Sequence, residues 1–242
     1  MNAHALCLCR RSDERTSMSE TEAVSPSRTR ELMRCILACA GALLAATAFA
    51  DDGKLDALLP SLQRGGYVIV LRHGATDPQY QDVYPLNYDD MTKQRQLSEQ
   101  GKEVARQMGS AVDSLGIPIG KVYTSRLNRA METGRLVAGK DVIWKVELND
   151  SSMGSASAMT DSSVTGNLRS AAALRQLVNT RPDFHTNTLI VTHKTNIQDA
   201  FGKMWADIKE GESLVFKPDG SGSLIPVARV QASDWIALAH SR

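Results

Sequence analysis

Arg72-His73-Gly74 follows directly on the apolar run Tyr67-Val-Ile-Val-Leu71, and His193 follows directly on Thr188-Leu-Ile-Val-Thr192. Continuous β-branched runs of this kind mark strands buried on both faces. In open α/β sheets ligands bind at the carboxyl edge of the strands, so the two imidazoles are expected to share one crevice. A third run, Lys121-Val-Tyr-Thr-Ser125, leads into Arg126-Leu-Asn-Arg129, the opening turns of a helix that faces the same edge. The unpaired N–H groups and dipole of such a terminus favour an anion. A guanidinium there adds planar, bidentate recognition of phosphate oxygens. Arg72, His73, Arg129 and His193 therefore read as a phosphate pocket.

The elements that must hold these residues can be read from periodicity. Asp51 to Gln63 places Leu55, Leu58, Leu59 and Leu62 at helical spacing and ends at Gly65-Gly66. After the first strand comes a long polar loop through Asp77, Pro85 and Asp89-Asp90. Ser98 caps a helix through Leu115 with Val104, Met108, Ala111, Val112 and Leu115 as its stripe. Then follow the strand Lys121–Ser125, the helix Asn128–Ala138 and a strand Val142–Val146. Asn149 to Gly166 lacks periodicity and reads as a loop. A helix Leu168–Val178, the strand Thr188–Thr192 and a helix Asn196–Ala206 follow, with Ser213–Lys217 and Ser223–Val230 as two edge strands joined by a turn. The expected architecture is a three-layer α/β/α sandwich on a mostly parallel sheet.

Composition excludes several classes of function. With 28 Lys+Arg against 27 Asp+Glu the chain has no global field to attract nucleic acid or an anionic membrane. Trp144, Trp205 and Trp235 are far apart and not interleaved with basic clusters, so they read as packing residues and not as a base-stacking platform. The cysteines, Cys7, Cys9, Cys35 and Cys39, all precede Asp51, which leaves the folded part without a thiol nucleophile, a disulfide framework or a cysteine metal cluster.

Arg28, Arg30 and Arg34 precede an apolar, small-residue run ending in Ala48-Phe49-Ala50, and Asp51-Asp52 breaks it. This is the layout of an export signal cleaved after Ala50. The run falls short of the ~20 apolar residues of a permanent span. Met33 is a second candidate start, since the residues before it are polar and aperiodic. The chain is thus expected to comprise an N-terminal extension and signal peptide, 1–50, and a catalytic domain, 51–242, that acts in the periplasm or outside the cell with no stable membrane span.

Leu71-Arg72-His73-Gly74, then Thr124-Ser125-Arg126-Leu127-Asn128-Arg129-Ala130-Met131-Glu132-Thr133, then Val191-Thr192-His193 resemble the three ordered motifs of the histidine phosphatase superfamily, which includes the cofactor-dependent phosphoglycerate mutases. The resemblance covers Tyr67 to Gly202. It implies a phosphoglycerate mutase-like fold and in-line attack by a neutral imidazole nitrogen of His73 on phosphorus, with water hydrolysing the phosphohistidine. Arg72, Arg129 and His193 would stabilise the charge on the phosphoryl oxygens. No metal and no cofactor are implied. Family members often place an acid shortly after the third strand. Glu147 is the best positional match, Asp150 is next, and some branches lack such an acid, so the assignment stays open.

The expected activity is that of a phosphomonoesterase acting on a phosphorylated small molecule or a glycolipid of the envelope. A phosphomutase, a phosphohistidine protein phosphatase and a non-catalytic phospholigand-binding module are the alternatives. Thr76 and Asp77 lie close enough to the nucleophile to touch substrate. Arg95 either reaches over the pocket or is a solvated loop residue, Asn196 reads as a helix N-cap, and His185 and His240 read as solvent-facing.

Overall fold

The computed structural model describes residues 52–152, 162–222 and 224–242. The export segment and its cleavage point lie outside the described residues. The elements in chain order are α1 (Asp52–Arg64), β1 (Val68–Arg72), α2 (Glu99–Ser114), β2 (Ile119–Thr124), α3 (Asn128–Ala138), β3 (Ile143–Trp144), α4 (Ser162–Asn179), β4 (Asn187–Thr192), α5 (Lys194–Phe201), β5 (Ser213–Phe216), β6 (Ala228–Val230) and α6 (Ala232–His240), with short 3-10 turns between some of them.

The six strands form one sheet in the order β3-β2-β4-β1-β5-β6. β1, β2, β3 and β4 run parallel, while β5 and β6 are antiparallel additions. Alternate strand residues feed two cores. Ile69 and Leu71 of β1 and Leu189 and Val191 of β4 pack with Leu59 and Leu62 of α1, Met108 and Val112 of α2, Val137 of α3 and Trp235 of α6. Val68, Val70, Ile190, Leu214 and Phe216 pack on the other face with Leu174 and Val178 of α4 and Ile197 of α5. Fully buried strands are apolar on both faces because helices cover both, as the sequence runs predict.

The register carries the functional geometry. Arg72 pairs with Thr192 across β1 and β4, and Thr124 pairs with Val191 across β2 and β4. The His73 N–H donates to the Thr192 carbonyl (3.0 Å) and the Ser125 N–H to that of Val191 (3.1 Å). Three strands thus end level, and the next residue of each enters the same crevice. The loop after His73 is fixed from behind by α2, whose N-cap Ser98 accepts from the Gly101 N–H (3.0 Å). Gly101 has to be glycine, since a Cβ there would lie 2.1 Å from the Ala75 carbonyl oxygen.

Several element boundaries differ from the sequence reading. β3 contains only Ile143–Trp144 and turns at once into a 3-10 turn, Val146–Leu148, because β2 is its single strand neighbour. α4 starts at Ser162, inside the stretch read as a loop, where Ser, Thr and Gly have weak helix propensity and give no periodic signal. α5 ends at Phe201 because Gly202 takes φ 106°. β5 lies between β1 and β6 and all four of its residues are buried, so it is interior and not an edge strand; only Ala228–Val230 of the second expected strand pairs with it. α6 was not anticipated, because its capping box uses Gln231 and Asp234 in place of the usual Ser or Thr with Glu.

Candidate active site

His73 is 2% exposed, and its Nδ1 lies 2.8 Å from its neighbour's carbonyl oxygen, on Gly74. A carbonyl can only accept, so Nδ1 carries the proton and Nε2 keeps its lone pair. Burial, then the neighbouring His193 and the Arg129 cation, push the His73 pKa well below the ordinary imidazole value. The ring is therefore neutral over the range in which most proteins work. His193 faces it with ring centroids 5.1 Å apart. Burial and the cations of Arg129, Arg95 and Arg72 depress the His193 pKa in the same direction. His193 Nε2 lies 2.8 Å from Ser125 Oγ, while its Nδ1 is buried with no hydrogen-bond partner among the described residues.

Arg72 and Arg129 are each tethered at one point and open at another. Arg72 donates from Nη1 to the Ile208 carbonyl (2.7 Å), and its Nη2 lies 3.4 Å from Glu210 Oε1. Arg129, 1% exposed, donates from Nη1 to both oxygens of Asp82 at 3.1 and 3.2 Å. Asp82 also accepts the Arg95 backbone N–H (2.8 Å), which binds the loop after β1 to the helix that carries Arg129. Five buried side-chain polar atoms have no hydrogen-bond partner among the described residues, and four of them are nitrogens of this cluster: Nε of Arg72, Arg95 and Arg129, and Nδ1 of His193. The fifth is Thr124 Oγ1 at the end of β2. Leaving one buried donor unmade costs about 1–3 kcal/mol. Three of these four are guanidinium N–H donors whose charges act on the fourth, the imidazole of His193, an arrangement that suits an oxyanion.

Asp150 closes the cluster. Its Oδ1 accepts from Thr195 Oγ1 (2.6 Å) and Ser152 Oγ (2.7 Å), and its Oδ2 lies 3.7 Å from Arg129 Nη2 and 3.9 Å from His193 Nδ1. Burial pushes the Asp150 pKa up, but the hydrogen bonds from Thr195 and Ser152 and the Arg129 charge outweigh it, and the net shift is downward. Asn196, in the first turn of α5, holds the backbone on both sides of Asp150: its Nδ2 donates to the Asn149 carbonyl (2.8 Å) and its Oδ1 accepts the Ser151 N–H (3.2 Å).

The family model described as the histidine phosphatase superfamily (branch 1) matches residues 68–187. The chain belongs to this superfamily. No curated protein sequence matches it. Solved histidine phosphatase folds align at low identity. The protein histidine phosphatase SixA complexed with tungstate shares 16% identity over 69% of this chain and 98% of its own, with a TM-score of 0.48. A phosphoserine phosphatase from Entamoeba histolytica in complex with 3-phosphoglyceric acid shares 16% over 62% and 89%, with a TM-score of 0.43. A mycobacterial glucosyl-3-phosphoglycerate phosphatase shares 16% over 62% and 92%, with a TM-score of 0.44.

Of the site residues expected from the sequence of this histidine phosphatase, Arg72, His73, Arg129 and His193 meet at one point, although the family match stops before His193. Glu147 does not join them. It stands exposed in the 3-10 turn after β3 and makes no hydrogen bond or ion pair with a described residue, because the early end of β3 turns it outward. The carboxylate that reaches the cluster is Asp150. Arg95 is drawn in as well, since its charge acts on Arg72, Arg129 and His193. Asn196 is not an N-cap; His193 occupies that position of α5. Thr76 donates to Glu210 Oε1 (3.3 Å) and Asp77 accepts from the Gln79 N–H (2.9 Å), so both shape the loop after the nucleophile. Trp205 and Trp235 are core residues, whereas Trp144 is 51% exposed and is not. His185 and His240 are solvent-facing. Asp82 and Ser125 went unnoticed in the sequence. Asp82 lies deep in a polar loop that offers no pattern, while Ser125 was readable as the last residue before the pocket.

Proposed function

We propose that this histidine phosphatase is an exported phosphomonoesterase that works through a phosphohistidine on His73. The observation that carries this reading is a neutral imidazole, its Nδ1–H held by Gly74, that faces His193 within the field of Arg129 and Arg72, in a cluster with four buried nitrogens that lack a hydrogen-bond partner among the described residues. A phosphoryl group seated among Arg72, Arg95, Arg129 and His193 has its oxygens neutralised while Nε2 of His73 attacks phosphorus. The P–O ester bond breaks as the P–N bond forms, and the departing oxygen takes a proton from Asp150. Asp150, left as a carboxylate, then receives a proton from the water that attacks phosphorus and releases phosphate from His73. An ionised Asp150 beside a bound phosphoryl dianion gains a like charge, which raises its pKa and supplies the acid form.

The first step is tested by mixing the protein with a ³²P-labelled phosphomonoester and quenching in alkali, where phosphohistidine survives. Label is expected on His73, and His73→Ala should lose both label and turnover while keeping its circular dichroism. Turnover retained in that variant overturns the reading. Export rests on the apolar segment before Asp51 and is checked by mass spectrometry of protein recovered from its host, with Asp51 expected as the mature N-terminus. An intact N-terminus in the cytosolic fraction would sink it.

A further inference from the structure

Arg126 follows Ser125, the hydrogen-bond partner of His193, yet its own side chain takes no part in the phosphate cluster. Its guanidinium carbon lies over two rings, 5.1 Å from the centroid of Tyr88 and 4.9 Å from that of Trp144. Its backbone N–H donates to Asn149 Oδ1 (2.8 Å), and Asn149 Nδ2 donates to Tyr88 Oη (2.9 Å). Asn149 is also the residue before Asp150. The group is thus built onto the segment that carries the carboxylate assigned to the leaving oxygen, and a carboxylate in that role has to face the alcohol portion of the substrate. It is preorganised: stacking on two rings removes much of the rotamer freedom that a surface arginine otherwise loses on binding.

The open edge of this guanidinium already holds a carboxylate. Nη2 donates to Asp89 Oδ1 at 2.7 Å, and the Asp89 side chain is 83% exposed. An ion pair this solvated contributes little, so an anion presented by another molecule can replace Asp89. A substrate whose phosphoryl end is already fixed presents such a group at high effective concentration. The half-exposed Trp144 has no packing explanation and gains one as a wall of this subsite.

We propose that Arg126, held over the rings of Tyr88 and Trp144, binds a second anionic group, carboxylate or phosphate, on the alcohol portion of the substrate, and so selects doubly anionic phosphomonoesters. The proposal rests on the phosphomonoesterase reading for the position of the phosphoryl end. Its test is binding, so that it does not depend on turnover. Dissociation constants for His73→Ala protein are measured by calorimetry with alkyl phosphates of three- and six-carbon spacers ending in a methyl, a carboxylate or a second phosphate. At one spacer length at least, a terminal anion is expected to tighten binding about tenfold or more over the methyl compound, the range of a hydrogen bond to a charged group. Carboxylate and phosphate ends separate the two sources of charge. Arg126→Gln added to this background should erase the preference. Asp89→Asn, which removes an exposed competitor, should strengthen it. Equal affinity for methyl and anionic ends at both spacers overturns the subsite, as does a preference that survives Arg126→Gln. Failure of the phosphatase reading is seen separately, as wild-type protein that releases no phosphate from the methyl-ended esters.

Discussion

Asp150 and Glu147 differ in place by three residues and in circumstance completely. Asp150 approaches Arg129 and His193 with one oxygen while Thr195 and Ser152 hold the other; Glu147 faces solvent. Asp150→Asn should therefore slow hydrolysis of alkyl phosphates about 10²- to 10⁴-fold, the usual worth of a general acid, and slow aryl phosphates far less because their leaving oxygen needs little protonation. Glu147→Gln should leave both rates near wild type. Steady-state kinetics on the two ester classes checks this, and equal slowing of both by Asp150→Asn would remove Asp150 from the role. The pKa directions add a pH profile. His73 must be neutral, and its depressed pKa keeps it so into mildly acidic solution; Asp150 must be protonated, and its pKa lies below the ordinary carboxylate value before substrate adds its charge. Activity on alkyl esters is expected to be highest on the acidic side and to fall as pH rises through the pKa of Asp150 in the complex. Asp150→Asn should flatten that fall. At this scale the sequence was legible where a residue follows a strand end, as His73, His193 and Arg129 do in effect. It offered Asp150 only behind Glu147 and Arg95 only as one of two alternatives, and it gave no sign of Asp82, because all three reach the site from loops whose course no local pattern records.

At the scale of elements, two packing contacts set the site. Gly101→Ala would drive a methyl group against the Ala75 carbonyl, at 2.1 Å without adjustment, so either α2 or the segment after His73 has to move. Overpacking of this kind costs about 1–3 kcal/mol. A melting temperature lower by roughly 2–12 °C is expected, at about 2–4 °C per kcal/mol for a domain of this size, together with a reduced kcat because Gly74 and Ala75 carry the nucleophile's support. Wild-type melting and kcat in Gly101→Ala would show that the loop yields without consequence. Asn196 makes the second contact, and Asn196→Ala leaves the buried Asn149 carbonyl without this donor. Its effect should fall more heavily on alkyl than on aryl esters, as expected for a residue that acts by positioning Asp150; equal loss on both would assign it to stability alone. Strongly periodic elements such as α2, and the apolar strands β1 and β4, were readable because burial on a fixed face dictates their residues. β3 and the start of α4 were not, since an edge strand with one neighbour and a helix opening on Ser-Ser-Val-Thr-Gly leave tertiary contacts to decide their limits.

For the whole molecule, the buried histidines tie stability to pH. Their folded-state pKa values lie below the ordinary value near 6.5, so between those values the unfolded chain binds more protons than the native one. Stability is then constant above that region and falls as pH drops below about 6.5. Melting temperature measured from pH 8 to pH 5 should decline below that point, and His193→Gln should reduce the slope; an unchanged slope would place the proton uptake elsewhere. Inorganic phosphate should offset the loss. At a hundred times its dissociation constant it stabilises by about 2.7 kcal/mol, and Arg129→Lys should weaken the effect. The sheet order adds a constraint in time. β4 lies between β1 and β2, and the histidines become neighbours only when it inserts there. A chain still emerging from the ribosome with β1, β2 and β3 complete has made the nucleophile and Arg129, but has no strand to join the two parts of its sheet and no His193. Long-range parallel pairing is also among the slower events in folding. The phosphate pocket is therefore among the last things this chain builds, and an unfinished or unfolded copy, in whatever compartment it waits, has no assembled centre with which to attack an ester.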